Sequence, residues 1–146
     1  MTGVAVGAVL PSAIAGAILA HARAEQPNEA CGLIAGDAPF SEGGRPLRWI
    51  PARNALASPY RFEIDPDDLL RHSLAIDDAD EVIWAIVHSH VASAACPSAS
   101  DLRQARHPAA LQVIASLDAA HADPASGAPS LRAWTADGQE IELAIS

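Results

Sequence analysis

The sequence predicts one mixed α/β domain over residues 1–146, with a single mixed β-sheet flanked by about three helices. Three observations lead to this prediction. The chain has 146 residues, which is the usual length of one domain. Half of the residues are apolar, so the chain can bury a sizeable core. Short apolar runs alternate with stretches of helical spacing, a pattern typical of α/β domains.

The first half of the chain predicts four strands and two helices. The predicted strands are residues 3–10, 30–35, 47–50 and 60–64. The first helix begins with Ser12 as its N-cap and ends before Pro27, because Ser favours N-caps and Pro does not continue a helix. Residues 37–46 contain several Pro and Gly residues and therefore predict a loop.

A second helix is signalled by Asp65-Pro66-Asp67-Asp68. This segment offers an Asp N-cap, a Pro at the first helical position and acidic residues that complement the helix dipole. The helix is predicted to run to about Asp77.

The most hydrophobic strand is predicted over 81–90. It is apolar on both faces, as expected of a central strand covered on both sides. The remaining predictions are a loop over 91–97, a helix from Ser98 or Ser100 to about Arg106, a strand over 111–117, a loop over 118–130, and a hairpin over 131–145 turning at Asp137-Gly138.

The charge of the chain disfavours two classes of partner. Nine basic residues, all Arg, stand against 18 acidic ones, giving a formal net charge of -9. No basic run is present to release counterions from a polyanion, so we expect no nucleic-acid partner and no anionic membrane surface. The apolar N-terminal stretch lacks a preceding positive charge and is interrupted by Pro11 and Ser12, so no signal peptide is predicted. We expect a cytoplasmic protein.

A candidate metal site lies at the end of the central strand. His88 and His90 are two residues apart, so in a strand their imidazoles face the same side. Asp101 follows eleven residues after His90, in the first turn of the next predicted helix. Two His and one carboxylate are a donor set for catalytic Zn²⁺, which keeps a fourth position open.

Ordinary structural interpretations compete with this hypothesis. A His at a strand end is usually structural, and Ser98 with Asp101 also forms a common capping-box-like helix start. Either part alone favours the structural interpretation. The joint spacing of the two parts favours the metal site.

With an upstream acid added, the pattern resembles the JAMM (MPN-plus) zinc metalloproteases. Their motif is a Glu, then His-x-His, seven residues, and Ser-x-x-Asp. Here it stands as Glu29 in Pro-Asn-Glu-Ala-Cys-Gly-Leu, His-Ser-His at 88–90, and Ser98-Ala-Ser-Asp101. The segment 60–66, Tyr-Arg-Phe-Glu-Ile-Asp-Pro, also resembles the family's segment before its second helix. The resemblance implies the JAB/MPN fold, with a cytidine-deaminase-like core.

The resemblance also implies a role for each motif residue. His88, His90 and Asp101 would hold one Zn²⁺ per chain, which lowers the pKa of bound water toward about 7. Glu29 would act as the general base, and Ser98 would donate a hydrogen bond to the oxyanion of the tetrahedral intermediate.

One departure from the family pattern refines the expected substrate. Many members have Pro after the second His, whereas this chain has Val91. The form is similar to a short bacterial branch that processes the C-terminal tail of ubiquitin-like sulfur-carrier proteins, with release of cysteine from a carrier adduct as one task. We expect such a tail to lie extended, adding as a strand at a sheet edge near the metal. A deubiquitinase-like isopeptidase is a less favoured alternative, since the long insertions of those members are missing.

Two further alternatives come from other functional classes. A non-catalytic MPN-type interaction scaffold should have lost metal ligands, and none is lost here. A zinc deaminase requires His-x-Glu and Pro-Cys-x-x-Cys. This chain instead has Cys96-Pro97 in the opposite order with no second Cys nearby.

Several residues are left with open interpretations. Cys31 and Cys96 flank the motif and could be buried apolar side chains, a disulfide, or redox-sensitive thiols. The sequence leaves a homodimer open. Surface or helix-end positions are predicted for His21, His72, His107 and His121, and core positions for Trp49, Trp84 and Trp134.

Overall fold

The computed structural model describes residues 7–103 and 105–146. The predicted α/β class is confirmed. The strands are β1 (Ala8–Leu10), β2 (Cys31–Gly36), β3 (Pro46–Ala52), β4 (Val82–His90), β5 (Leu111–Ser116), β6 (Ser130–Trp134), β7 (Glu140–Ile141) and β8 (Leu143–Ile145). The helices are α1 (Ser12–Glu25), α2 (Pro66–Asp78) and α3 (Ala99–Arg103). Across the two described ranges, no helix combines the length and apolarity that a membrane crossing requires.

The main sheet has six strands in the order β3-β2-β4-β5-β6-β7. β4 and β5 run parallel, and the other neighbours are antiparallel. β4 lies inside the sheet, as its apolar sequence predicted, because both of its faces are covered.

The core is divided into two layers by this sheet. On one face α1 packs over a cluster that includes Ile18, Ile34 and Val87. On the other face, Ile76 of α2 joins a cluster that includes Ile86. Because side chains alternate along a strand, residues 86, 88 and 90 share the α2 face, while residues 87 and 89 share the α1 face.

The start of α2 follows the sequence prediction, and the start of α1 does not. The Asp65 side chain accepts a hydrogen bond from the Asp68 amide at 3.1 Å, and Pro66 opens the helix. In α1 the N-cap is Pro11, so the prediction of Ser12 as N-cap is wrong. Ser12 is the first helical residue, and its amide donates to the Ser146 carbonyl at 2.8 Å.

The C-terminal segment leaves the main sheet, although the sequence predicted one sheet and a hairpin up to residue 145. β7 pairs with β6 over two residues only. The Glu142 carbonyl then accepts from the Ala8 amide at 2.7 Å, and β8 pairs in parallel with β1 as a separate two-stranded sheet. Residues 3–6 of the predicted first strand lie outside the described residues.

Two other predicted elements are corrected. Residues 60–64 form no strand but a single bridge between Asn54 and Ile64. The Asn54 side chain hydrogen-bonds to the backbone of this segment. It accepts from the Glu63 amide at 3.1 Å and donates to the Arg61 carbonyl at 3.0 Å. Among the described residues α3 covers Ala99–Arg103, and residues 105 and 106, which the prediction placed in this helix, are not helical.

Candidate metal centre

The imidazoles of His88 and His90 point to the same side of the sheet. Both residues end β4 and are buried, and their Nε2 atoms lie 3.2 Å apart. The i, i+2 spacing in an extended strand produces this convergence.

The carboxylate of Asp101 completes a three-residue cluster. Its Oδ2 lies 3.1 Å from Nε2 of His88 and 3.2 Å from Nε2 of His90. A reciprocal cap positions Asp101 at the start of α3, because the Ser98 Oγ accepts from the Asp101 amide at 3.0 Å and the Ser98 amide donates to Oδ2 at 2.9 Å. The structure therefore brings together the three residues that the sequence proposed as metal ligands.

The geometry of this cluster fits a tetrahedral metal ion. One ligand atom from each of the three residues lies within 4.8 Å of the other two. Bonds of about 2.0–2.1 Å to tetrahedral Zn²⁺ would place two ligand atoms roughly 3.3 Å apart. The separations of 3.1 to 3.2 Å between the three atoms are close to that value.

A carbonyl behind His90 fixes which ring nitrogen faces the cluster. The His90 Nδ1 lies 2.7 Å from the Ala94 carbonyl oxygen. A carbonyl only accepts, so Nδ1 carries the hydrogen and the lone pair of Nε2 is available to a metal. Sequence reasoning missed this contact, because a backbone acceptor in a loop has no residue signature.

An aromatic ring behind His88 fixes its plane. Phe62 stacks on the imidazole with ring centroids 4.3 Å apart and an interplanar angle of 17°. Phe62 belongs to the segment 60–66 that carried part of the family resemblance, which was the only sequence signal for it.

Burial and charge pull the pKa values of the three residues apart. Burial lowers the pKa of His88 below its ordinary value. Burial also lowers that of His90, but hydrogen bonds with Asp101 and Ala94 outweigh it and raise the pKa. Burial opposes ionisation of Asp101, yet its contacts with both imidazoles and the hydrogen bond from the Ser98 amide hold its pKa well below the usual range. Asp101 is therefore a carboxylate, the form that binds a metal.

Glu29 lies beside this cluster. Cys31 pairs with His88 across β2 and β4, so continuing the antiparallel register places Glu29 opposite His90 and on the same face. The side chain is buried at 4% exposure, and its Oε1 has no hydrogen-bond partner among the described residues. Burial raises its pKa to about 7, with His90 opposing the shift and Asp101 adding to it.

The backbone of Glu29 is held from the loop that precedes α2. Its amide donates to the Ser58 carbonyl at 2.8 Å, and its carbonyl accepts from the Asn54 side chain at 3.0 Å. These bonds fix the main chain while leaving Oε1 open.

The two cysteines are free, and no disulfide joins them. Cys31 is buried with its Sγ 3.9 Å from the Ala52 carbonyl, and burial raises its pKa to about 12. Cys96 is exposed, with its Sγ 4.0 Å from the Arg132 guanidinium. The high pKa makes Cys31 a poor thiolate, so a buried apolar role suits it.

The tryptophan and His21 predictions have mixed outcomes. Trp84 and Trp134 are buried, and Trp49 packs against the core cluster under α1. His21 was predicted to be a surface or helix-end residue, but its Nε2 is buried. Its ring packs edge-on against Trp49, with the two ring centroids 5.8 Å apart. The prediction failed because His21 lies on the face of α1 that covers the sheet.

A cleft of about 470 Å³ opens beside the cluster, with Asp101 in its wall. Phe62 and Ile64 line one side, and Arg106 lines another. The cleft therefore offers an extended segment a path that reaches Asp101.

Comparison with known proteins agrees with this fold. This chain is 42% identical to the CysO-cysteine peptidase of Mycobacterium tuberculosis over 109 residues, which are 74% of this chain and 72% of that protein. A desampylase of Haloferax volcanii is 31% identical over 134 residues, 88% of each chain. The solution structure of Desulfitobacterium hafniense DSY2949 has a TM-score of 0.76 at 32% identity, covering 94% of this chain and 92% of that one.

The fold and the donor set together define a JAB/MPN-type domain. A JAB1/MPN domain protein of Archaeoglobus fulgidus shares the fold, with a TM-score of 0.59 at 18% identity over 94% of this chain and 97% of that one. Residues 11–137 match the family described as prokaryotic homologs of the JAB domain. The chain belongs to this family, near the branch whose relatives are named peptidases and desampylases.

Proposed function

We propose that this protein is a zinc-dependent peptidase that hydrolyses an amide or isopeptide bond at the C-terminal tail of a ubiquitin-like or sulfur-carrier protein. The observation that carries this proposal is the meeting of His88, His90 and Asp101 beside an unpartnered Glu29 oxygen. The relatives named CysO-cysteine peptidase and desampylase support the carrier-type substrate.

The chemistry divides between the ion and the protein. Zinc held by the three ligands would lower the pKa of water and polarise the scissile carbonyl. Glu29 accepts a proton from the attacking water through Oε1 and passes it to the nitrogen of the leaving amine. The pKa of about 7 suits this exchange, because a group that both takes and returns a proton works best near the ambient pH.

In this proposal Ser98 stabilises negative charge on the substrate oxygen. Its Oγ already accepts from the Asp101 amide at 3.0 Å, which fixes the hydroxyl. The hydroxyl hydrogen remains free to donate to the oxyanion that forms when water adds to the carbonyl carbon. No side-chain nucleophile takes part, so we expect no acyl-enzyme.

The cleft beside Asp101 is the proposed path of the carrier tail. An extended tail has a regular row of backbone donors and acceptors, and it would reach the ligand atoms from the side of Phe62. We propose cysteine as the leaving amine, by similarity to the CysO-cysteine peptidase.

The first experiment is elemental analysis of the purified protein beside its His88→Ala and Asp101→Ala variants. We expect about one zinc per chain in the wild type and a loss of zinc in both variants, because each variant removes one of three ligands. A protein that binds no zinc even when zinc is supplied would contradict the proposal.

The second experiment tests the general base. Glu29→Gln should keep the zinc but lose at least about a hundredfold in hydrolysis of a carrier with cysteine at its C-terminus, since the amide cannot accept the proton. The products are separated by mass spectrometry. Retained activity in Glu29→Gln would show that another group moves the proton.

A further inference from the structure

The middle residue of the His-Ser-His segment faces away from the metal centre. Ser89 is 1% exposed and lies on the α1 face of β4, between two histidines that point to the opposite face. A polar side chain in this apolar layer needs hydrogen-bond partners.

Ser89 makes two hydrogen bonds to the residue that follows Glu29. Its amide donates to the Ala30 carbonyl at 3.0 Å. Its Oγ accepts from the Ala30 amide at 2.8 Å. The second bond extends the pairing of β2 and β4 beyond Cys31, the first residue of the β2 ladder. The strand that carries both histidines is thereby clamped to the segment that carries Glu29.

The Ser89 hydroxyl still has a hydrogen to donate, and a buried nitrogen without a partner lines the same cavity. Among the described residues Ser89 donates no side-chain hydrogen bond, and the buried Nε2 of His21 has no partner. Both residues line one small cavity of about 10 Å³ between α1 and the sheet. Trp49 lines the same cavity.

This cavity matches a single water molecule in size and chemistry. A buried water needs roughly 10–15 Å³ and two or more polar partners. The Ser89 hydroxyl can donate and an unprotonated His21 Nε2 can accept, and no direct hydrogen bond joins them among the described residues. His88, whose buried Nδ1 also has no partner, lines the same cavity and offers the water a further polar contact.

We propose that Ser89 and His21, joined by a buried water, are positioning residues that hold Glu29 in register with the metal ligands. The Ser89 hydroxyl donates to the water, and the water donates to His21 Nε2. This arrangement requires the ring hydrogen of His21 to lie on Nδ1. The proposal rests on the proposed function for its catalytic consequence, but its structural part does not.

Hydrogen exchange of the Ala30 amide tests the clamp directly. In Ser89→Ala this amide loses its acceptor, so we expect its exchange to accelerate about tenfold or more relative to the Leu33 amide. Ser89→Thr keeps the hydroxyl and should restore most of the protection. Ser116→Ala is the matched control, because it removes another buried hydroxyl that bonds to the Ser93 carbonyl and not to Ala30.

The measurement needs neither substrate nor metal, so its failure is distinct from failure of the proposed peptidase activity. Unchanged Ala30 protection in Ser89→Ala would overturn the clamp. In the zinc-loaded protein, Ser89→Ala should lower kcat about tenfold while zinc affinity stays within about twofold, since none of the three metal ligands is changed. A parallel loss of zinc would indicate a general structural role and would also overturn the proposal.

The water bridge has its own test through His21. A long-range ¹⁵N–¹H correlation spectrum should show the Nδ1-protonated tautomer of this residue. His21→Phe keeps a ring edge near Trp49 but removes the acceptor, so Ala30 exchange should accelerate by a smaller factor than in Ser89→Ala. The double variant should exchange like Ser89→Ala alone, because both changes act on one network. An Nε2-protonated tautomer, or independent effects of the two changes, would overturn the bridge.

Discussion

A carboxyl group with one unpartnered oxygen inside the protein is unfavourable when ionised, and Glu29 is such a group. Its ordinary pKa of 4.5 is raised to about 7, chiefly by burial. The folded state therefore binds this proton more tightly than the unfolded state does between pH 4.5 and about 7. The stabilising contribution of this tightly bound proton is fully present below the window and is lost as the pH rises through it.

We predict that Glu29→Gln removes this pH dependence from the metal-free protein. A pKa shift from 4.5 to about 7 corresponds to a loss of up to about 3 kcal/mol in the free energy of unfolding at pH values above this window. From pH 5 to pH 8, the free energy of unfolding of the variant should therefore rise relative to that of the wild type by up to that amount. Urea unfolding of both proteins at the two pH values measures it. An equal stability difference at both pH values would mean that Glu29 titrates normally in the fold.

Ser98 supports the metal centre at the residue scale through its cap on α3. We predict that Ser98→Ala weakens zinc binding modestly, by about threefold to tenfold, because the Asp101 amide loses its acceptor and the carboxylate becomes less fixed. The larger effect should fall on kcat, since the oxyanion donor is also lost. Chelator competition measures the first effect and steady-state kinetics the second. A fall in zinc affinity with unchanged kcat would restrict Ser98 to its capping role.

Two strands of the sheet approach each other closely at Gly32, and this contact belongs to the element scale. A Cβ there would lie 2.3 Å from the Trp49 ring and 2.5 Å from the Ile50 carbonyl. Because β3 pairs with β2 on both sides of this position, the Ile50 carbonyl cannot move away without disrupting the pairing of the two strands. The Trp49 ring that covers β2 therefore requires glycine at this position.

We predict that Gly32→Ala destabilises the protein by about 2–3 kcal/mol through this overpacking. Gly16→Ala on α1 is the control, since nothing lies within 4 Å of its added Cβ and Ala favours a helix by about 0.5–1 kcal/mol. Thermal and urea unfolding of the two variants should move in opposite directions. A neutral Gly32→Ala would show that Trp49 can shift at little cost.

The elements that could be predicted from the sequence are those with local signals. β4 is recognisable from its continuous apolar run, and α2 from its Asp-Pro start. The parallel pairing of β1 with β8 was missed, because it joins residues from opposite ends of the chain and no local pattern encodes it. The segment 60–64 has strand-like composition, but its backbone bonds to the Asn54 side chain instead of a neighbouring strand.

The candidate site shows the same division. The spacing of His88, His90 and Asp101 reflects strand and helix geometry, so sequence reasoning could group them. The supports behind them come from loops, where Phe62 stacks on one imidazole and the Ala94 carbonyl fixes the other. Such contacts depend on how the loops fold back on the sheet, which short-range patterns do not determine.

At the scale of the whole molecule, the metal centre links parts of the chain that are distant in sequence. β4 and α3 supply the ligands, while Glu29 is held to β4 by residues 59 positions apart, Ala30 and Ser89. An ion that binds only the folded arrangement stabilises every element that builds it.

We therefore predict that zinc stabilises the whole fold and not only the loop around α3. Zinc at a hundred times its dissociation constant should add about 2.7 kcal/mol, which raises Tm by roughly 5–10 °C for a domain of this size. Asp101→Asn should lose most of this increase. Asp78→Asn is the control, because it makes the same change of charge at the exposed end of α2, away from the site. This variant should keep the full increase in Tm on zinc binding. Calorimetry of the three proteins with zinc and with a chelator decides the matter, because an equal zinc response in Asp101→Asn would place the stabilising ion elsewhere.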